Sequence, residues 1–280
     1  MPAKTDKQIL VHGHRGARGL FPENTLTAFR ETVNLGAPSI ELDVVISADS
    51  QVVVSHEPWM HALYCSTPDG KPVKKGKKHN LYKMKYAAIR KYDCGIRGNR
   101  KFPLQEKISE HKPLLSEVIT ELEKHTAASG LNPVTYNIEI KCLEPGDGRF
   151  HPKPEKFAKL VYAVISRYNI NDRILVQSFD LRVLQEIHKL DSSLRIGILT
   201  MTSASVKRKV KKLGFTPYMF NPHYKRVSPG LVKEAHSLGI EVHPYTVNDT
   251  ADMRRLIRMG VDGLITDFPD KALNLLKNSH

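Results

Sequence analysis

Residues able to do chemistry gather in a few short strings. In His12-Gly13-His14-Arg15-Gly16, His14 and Arg15 stand between two glycines, whose missing side chains let backbone and ligand approach closely. An arginine there can fork onto phosphate oxygens, and an imidazole can move protons near neutral pH. Alone, that string also fits a packed histidine beside a surface arginine. Ile40-Glu41-Leu42-Asp43-Val44 is more informative, because the strand period of two puts both carboxylates on one face and apolar side chains on the other. Two acids on an inward face repel each other and lose hydration unless a cation sits between them. Asn137-Ile138-Glu139-Ile140-Lys141 adds a third carboxylate, with a lysine on the same face. Carboxylates without clustered Cys or His ligands select a hard cation, so the expected cofactor is one divalent ion, Mg²⁺ or Ca²⁺, rather than Zn²⁺.

Positioning these groups requires a scaffold, and short β-branched runs alternating with helical stretches predict β/α units around a parallel sheet. Candidate strands are Leu10 to His14, Ser39 to Ile46, Thr135 to Lys141, Ile174 to Phe179, Arg195 to Thr200, Tyr218 to Pro222, Glu241 to Val247 and Gly263 to Phe268. A further run, Gln51 to His56, follows its predecessor after only Ala48-Asp49-Ser50, too little chain for a parallel crossover. It is expected to fold back as a hairpin that carries His56 over Glu41 and Asp43. Asn24 or Thr25 can cap a helix with Leu26, Phe29 and Val33 on one face, ended by Gly36. The predicted architecture is α/β, a (β/α)₈ TIM-type barrel with functional groups at the carboxyl ends of its strands, and a doubly wound open sheet is the alternative. Residues 57–112 break the rhythm, carry one helix-like segment near Leu81 to Tyr92, and are read as an insertion near the barrel mouth in a single domain spanning 1–280. Phe179, Tyr245 and Phe268, at predicted strand ends, are expected to form an apolar wall.

Length and composition are those of a folded enzyme: 280 residues, 40% hydrophobic and 26% charged. The three cysteines, Cys65, Cys94 and Cys142, are odd in number and lack a paired spacing, which argues against a disulfide scaffold and for a reducing compartment. No apolar run approaches the roughly 20 residues of a membrane helix. The opening Met1-Pro2-Ala3-Lys4 leads into an apolar stretch too short for a secretion signal, so a cytoplasmic protein without stable membrane insertion is expected. The formal charge of +14 suits anionic partners, with one concentration of it at Lys71-Pro72-Val73-Lys74-Lys75-Gly76-Lys77-Lys78. A nucleic-acid-binding protein is the rival reading from that charge, but no nucleic-acid motif accompanies the loop, and inward-facing acids do not grip phosphate without metal.

Taken in order, His14-Arg15-Gly16, Pro22-Glu23-Asn24-Thr25, Ile40-Glu41-Leu42-Asp43, His56, Glu139-Ile140-Lys141, Gln177-Ser178-Phe179, Thr246-Val247-Asn248 and Asp262 to Asp267 closely resemble the landmarks of the glycerophosphodiester phosphodiesterase family. The resemblance implies a small-molecule substrate, a glycerophosphodiester cleaved to an alcohol and sn-glycerol 3-phosphate. It also implies His14 and His56 as the acid/base pair, Glu41, Asp43 and Glu139 as metal ligands, and Arg15 and Lys141 as phosphate-binding cations. Substrate contacts are further expected from Phe179 and Tyr245. His14 is assigned as base and His56 as acid, and attack by a glycerol hydroxyl or by water directly both stay open. Two departures stand out: Glu57 follows His56 where the family commonly has Asp, and Tyr245 stands where Trp is frequent. A lysophospholipid-directed phosphodiesterase on the same barrel is the nearer alternative. Residues 57–112, with Trp59 close behind His56, are the expected contact for the variable alcohol.

Overall fold

A computed structural model describes residues 9–202 and 205–278, which leaves the opening residues Met1 to Lys4 outside the described part. Nine strands form one sheet among the described residues: β1 (Leu10–His14), β2 (Ser39–Ile46), β3 (Val52–Val54), β4 (Thr135–Ile140), β5 (Ile174–Ser178), β6 (Arg195–Thr200), β7 (Met219–Pro222), β8 (Glu241–Val242) and β9 (Gly263–Thr266). β3 pairs antiparallel with β2 alone, and the other strands run parallel in the order β8-β7-β6-β5-β4-β2-β1-β9. Backbone bonds close the remaining seam: Asp262 N–H to Val242 O at 2.9 Å, Ile265 N–H to Pro244 O at 3.0 Å and Val247 N–H to Ile265 O at 2.9 Å. The sheet is therefore a nearly closed parallel barrel, and not the open doubly wound alternative.

Helices α1 (Leu26–Asn34), α2 (Tyr86–Ile89), α3 (Leu115–Ser129), α4 (Pro154–Ile165), α5 (Leu181–Leu190), α6 (Val206–Leu213), α7 (Pro229–His236), α8 (Thr250–Arg258) and α9 (Pro269–Lys277) complete the described elements. All except the short α2 follow the rhythm of the barrel. Capping is local: Thr25 Oγ1 accepts from Ala28 N–H at 3.2 Å to start α1, and Asp249 Oδ1 accepts from Ala251 N–H at 2.8 Å to start α8. Every residue of β2 is buried. Its alternation divides that burial into two environments, with Ile40, Leu42, Val44 and Ile46 packing in one apolar cluster with Phe29, Val118 and Leu122 of the helices. Glu41 and Asp43 point the other way, into the barrel. Each fully buried Ile, Leu or Val contributes roughly 1.5–3 kcal/mol, so the apolar face of β2 holds in place the strand whose inner face carries two acids.

β8 is shorter than the sequence predicts, ending at Val242 rather than Val247, because Pro244 has no N–H to give a ladder. Residues 57–112 contain a 3₁₀ turn at Leu81–Lys83 and the single turn of α2 in place of one longer helix. Their Met60, Tyr64, Cys65, Val73, Leu81, Tyr86, Ile89 and Cys94 build a second small core on Val45 of β2 and Val53 of β3. The two ends of the segment lie side by side, since Val54 N–H donates to Pro113 O at 2.8 Å and Val53 bridges to Leu114.

One expectation fails here. Cys65 and Cys94 form a disulfide, leaving Cys142 buried and free. Their separation of 29 residues has no motif behind it, and the odd cysteine count concealed the pair. The reducing-compartment reading, which relied on unpaired thiols, loses that support. Among the described residues no helix is long and apolar enough to cross a membrane.

Candidate active site

The turn after β1 lies tight against α1. A Cβ at Gly13 would come within 2.4 Å of Thr32 Cγ2, and Gly16, at φ +81°, would place one 2.6 Å from Ala28 Cβ. Only glycine fits either place. Between them Arg15 adopts the left-handed region at φ 53°, uncommon without glycine, and its N–H donates to Glu41 Oε2 at 3.0 Å. Asn24, also left-handed at φ 56°, gives its Nδ2 to Asp43 Oδ2 at 2.9 Å while its own N–H donates to Arg15 O.

β2 and β4 are in register with Asp43 beside Glu139. Oxygens of Glu41, Asp43 and Glu139, all buried, lie within 4.8 Å of one another. Burial, then the Asp43 and Glu139 charges, pushes the Glu41 carboxyl well above its ordinary range. Burial also raises Glu139, against the pull of Lys141. Burial works on Asp43 in the same direction, but His56, Arg15 and Lys141 outweigh it and hold that carboxyl low. Asp43 Oδ1 is buried without a hydrogen-bond partner, with Lys141 Nζ 3.6 Å away. Three converging carboxylates, two of them resisting ionisation and one with a bare oxygen, are a donor set that fits a hard divalent cation. Gln177 Nε2 donates to Glu41 Oε1 at 3.2 Å and is itself held by Asn221 Nδ2 at 2.6 Å, which fixes the direction of that carboxylate.

The two histidines are each backed by an acid. His14 Nδ1 lies 2.6 Å from Asp267 Oδ1, and His56 Nδ1 lies 2.8 Å from Glu57 Oε1. A carboxylate can only accept, so Nδ1 carries the proton in both rings and Nε2 is left for other partners. His14 Nε2 is 3.9 Å from Glu41 Oε2. Burial first, then the Arg18 charge, lowers the His14 pKa to about 4 despite Asp267, so the ring is neutral at pH 7. Asp267 is gripped further by Arg18 at 2.8 and 2.9 Å and by Asn248 Nδ2 at 2.7 Å.

A cavity of about 280 Å³ unites these groups. His14, Arg15, Glu41, His56, Glu139, Lys141, Phe179 and Tyr245 line it, and Asp43 lies fully buried behind them. Lys141 Nζ is 2.5 Å from Glu139 Oε1. Arg15 gives Nη1 to Glu23 Oε1 at 2.7 Å, so part of its fork is already committed. The Phe179 and Tyr245 rings meet edge to face at 5.8 Å and form, with Leu199 and Met201, an apolar side. Phe268 does not join them; it packs on Phe102 at 6.2 Å and against Gly19. Trp59 lies outside the cavity lining, edge-on to Phe150 at 5.6 Å. Sequence reasoning gave no role in the site to Asp267, Glu23 or Gln177 and offered Asn24 only as a helix cap, a place that Thr25 takes, although each stood inside a quoted landmark, and nothing local singled out Arg18.

The model of the glycerophosphoryl diester phosphodiesterase family matches residues 14–271, from the first of these histidines to beyond Asp267. The chain belongs to that family. As a member of the glycerophosphoryl diester phosphodiesterases it is a phosphoric diester hydrolase. It is 32% identical to a glycerophosphodiester phosphodiesterase of Caldanaerobacter subterraneus subsp. tengcongensis, over 96% of this chain and 98% of that one. A glycerophosphodiester phosphodiesterase of Bacillus subtilis is 29% identical, over 94% of this chain and 85% of that one. A crystal structure of a candidate family member from Silicibacter pomeroyi DSS-3 superposes with a TM-score of 0.88 at 30% identity, covering 98% of this chain and 95% of that one.

Proposed function

We propose that the chain hydrolyses glycerophosphodiesters to an alcohol and sn-glycerol 3-phosphate, with one divalent cation at Glu41, Asp43 and Glu139, His14 as base and His56 as acid. The observation that carries this reading is the meeting, in one cavity, of three buried acids and two carboxylate-backed imidazoles. A phosphodiester is anionic and repels nucleophiles, so its oxygens must be neutralised, a nucleophile deprotonated and the leaving oxygen protonated. When bound, a Mg²⁺ or Ca²⁺ ion would supply Lewis-acid polarisation of a phosphoryl oxygen and lower the pKa of a neighbouring hydroxyl. Lys141 and the uncommitted part of the Arg15 fork offset the remaining phosphate charge. Neutral His14 accepts a proton at Nε2, and Asp267 holds its ring and stabilises the cation formed. His56, on the hairpin, delivers a proton at Nε2 to the leaving oxygen, with Glu57 fixing its tautomer. The apolar side made by Phe179 and Tyr245 excludes water from the carbon skeleton of the substrate.

The test is release of glycerol 3-phosphate from glycerophosphocholine and glycerophosphoethanolamine, with Mg²⁺, Ca²⁺ or a chelator, for wild type and Glu41→Ala. Expected is metal-dependent release that falls by about 10²-fold or more in Glu41→Ala, in line with losing a metal ligand. Undiminished release in chelator and in Glu41→Ala would remove the metal from the reading.

A further inference from the structure

Residue 64 belongs to the small core of the 57–112 segment, yet its hydroxyl leaves that core. Tyr64 is 5% exposed, and its OH donates to Glu57 Oε2 at 3.1 Å. The other oxygen, Glu57 Oε1, holds His56 Nδ1 at 2.8 Å. Both oxygens of one carboxylate are thus engaged, one by the imidazole and one by the phenol. Glu23 Oε1 lies 3.4 Å from the same hydroxyl, but it already accepts from Arg15 Nη1 at 2.7 Å, and a phenol has a single proton. The shorter distance assigns that proton to Glu57.

We propose that Tyr64 is a positioning residue for His56, acting through Glu57, so that the segment outside the barrel sets the aim of the proton delivered to the leaving alcohol. The proposal rests on the reading of His56 as the acid. Two restraints make the phenol a fixed point. Its ring stacks on His61 with centroids 4.9 Å apart and planes 8° apart. The next residue, Cys65, is bonded to Cys94, and its carbonyl accepts from Arg97 Nη1 at 2.8 Å. Burial and then the nearby Glu23 and Glu57 charges keep the phenol protonated, so it stays a donor. Burial works to neutralise Glu57, but the His56 contact with the Arg15 and Lys112 charges outweighs it and keeps the carboxylate an acceptor. Glu57 also stands one methylene longer than aspartate, and a second anchor restrains that added freedom. A hydrogen bond to a charged group fixes a side chain more firmly than one between neutral groups.

Proton delivery matters in proportion to how poor the leaving group is. The experiment therefore compares glycerophosphocholine, whose alkoxide needs a proton, with the p-nitrophenyl ester of glycerol phosphate, whose phenolate leaves unaided. Tyr64→Phe keeps the ring and its stack and removes only the hydroxyl. Expected is a fall in kcat of about tenfold on the choline ester with KM nearly unchanged, and less than about threefold on the p-nitrophenyl ester, a fraction of the 10²- to 10⁴-fold scale of general acid catalysis. Glu57→Gln should show the same selectivity, more strongly. His56→Asn sets the reference. If His56→Asn discriminates between the esters while Tyr64→Phe loses both equally or neither, the positioning role is overturned and the acid reading stands. If His56→Asn does not discriminate, the acid reading falls and takes the role of Tyr64 with it.

Discussion

His14, the base of the proposed reaction, is held neutral by its surroundings, and this has a consequence for stability as well as reactivity. Its pKa is lowered to about 4 in the folded chain against an ordinary 6.5. Between those values the unfolded chain binds more protons, so stability rises with pH across that window and is lost as pH falls from 6.5 towards 4. A shift of this size corresponds to about 3 kcal/mol when the whole window is crossed. Denaturant unfolding in chelator should therefore steepen between pH 6.5 and 4, and His14→Asn should flatten that slope; an unchanged slope would place the ring's charge elsewhere. Asp267 belongs to the same account with the usual carboxylate sign, because His14 and Arg18 outweigh burial and hold it low. Its contribution is present above the unfolded carboxylate range and fades only below it. At this scale much was readable in the sequence: the acids of Glu41, Asp43 and Glu139 announced themselves by alternation and by the absence of any apolar reason to be where they are. Asp267 did not, because a single aspartate at a strand end has no partner in sequence, and its meaning comes from His14, which lies 253 residues away in the chain.

Elements were legible where periodicity was strong, as in β1, β2, β4 and α1, and misjudged where one residue overrode it, as Pro244 does in β8. The segment at 57–112 was visible only as an interruption. Its internal order depends on contacts between distant small residues and on the Cys65–Cys94 bond, neither of which leaves a periodic trace. Closing a loop of 29 residues with a disulfide stabilises by about 3.6 kcal/mol in the chain-entropy picture. Reduction, or Cys65→Ala with Cys94→Ala, is thus expected to lower the midpoint of thermal unfolding by several degrees and to raise proteolytic cleavage within 57–112 ahead of cleavage in the barrel. Equal susceptibility of both regions would deny the segment its separate core. Because Tyr64 neighbours Cys65, the same variant should weaken turnover of the choline ester more than that of the p-nitrophenyl ester.

For the whole molecule, the charge of +14 is the property that the substrate meets first. An anionic diester approaching such a protein is drawn in over distances set by the Debye length, about 30 Å at 0.01 M salt and about 10 Å at 0.1 M. Where capture contributes to the rate, kcat/KM is expected to fall across that range while kcat holds, and a flat kcat/KM would mean that the positive charge lies too far from the mouth to matter. The barrel itself was foreseeable from the count and spacing of its strands, and the seam between β8 and β9 was not, since it is closed by isolated backbone bonds around a proline. The meeting of Val54 with Pro113 and of Val53 with Leu114 has a different kind of consequence. A stretch whose two ends touch can be lengthened, shortened or replaced without moving the residues it interrupts. Heredity can therefore rewrite most of what lies between them at little risk to the barrel, and a chimaera carrying a relative's segment between these junctions should fold around an unaltered barrel but turn over substrate only where the graft again supplies a histidine at 56 and a carboxylate at 57 to hold it.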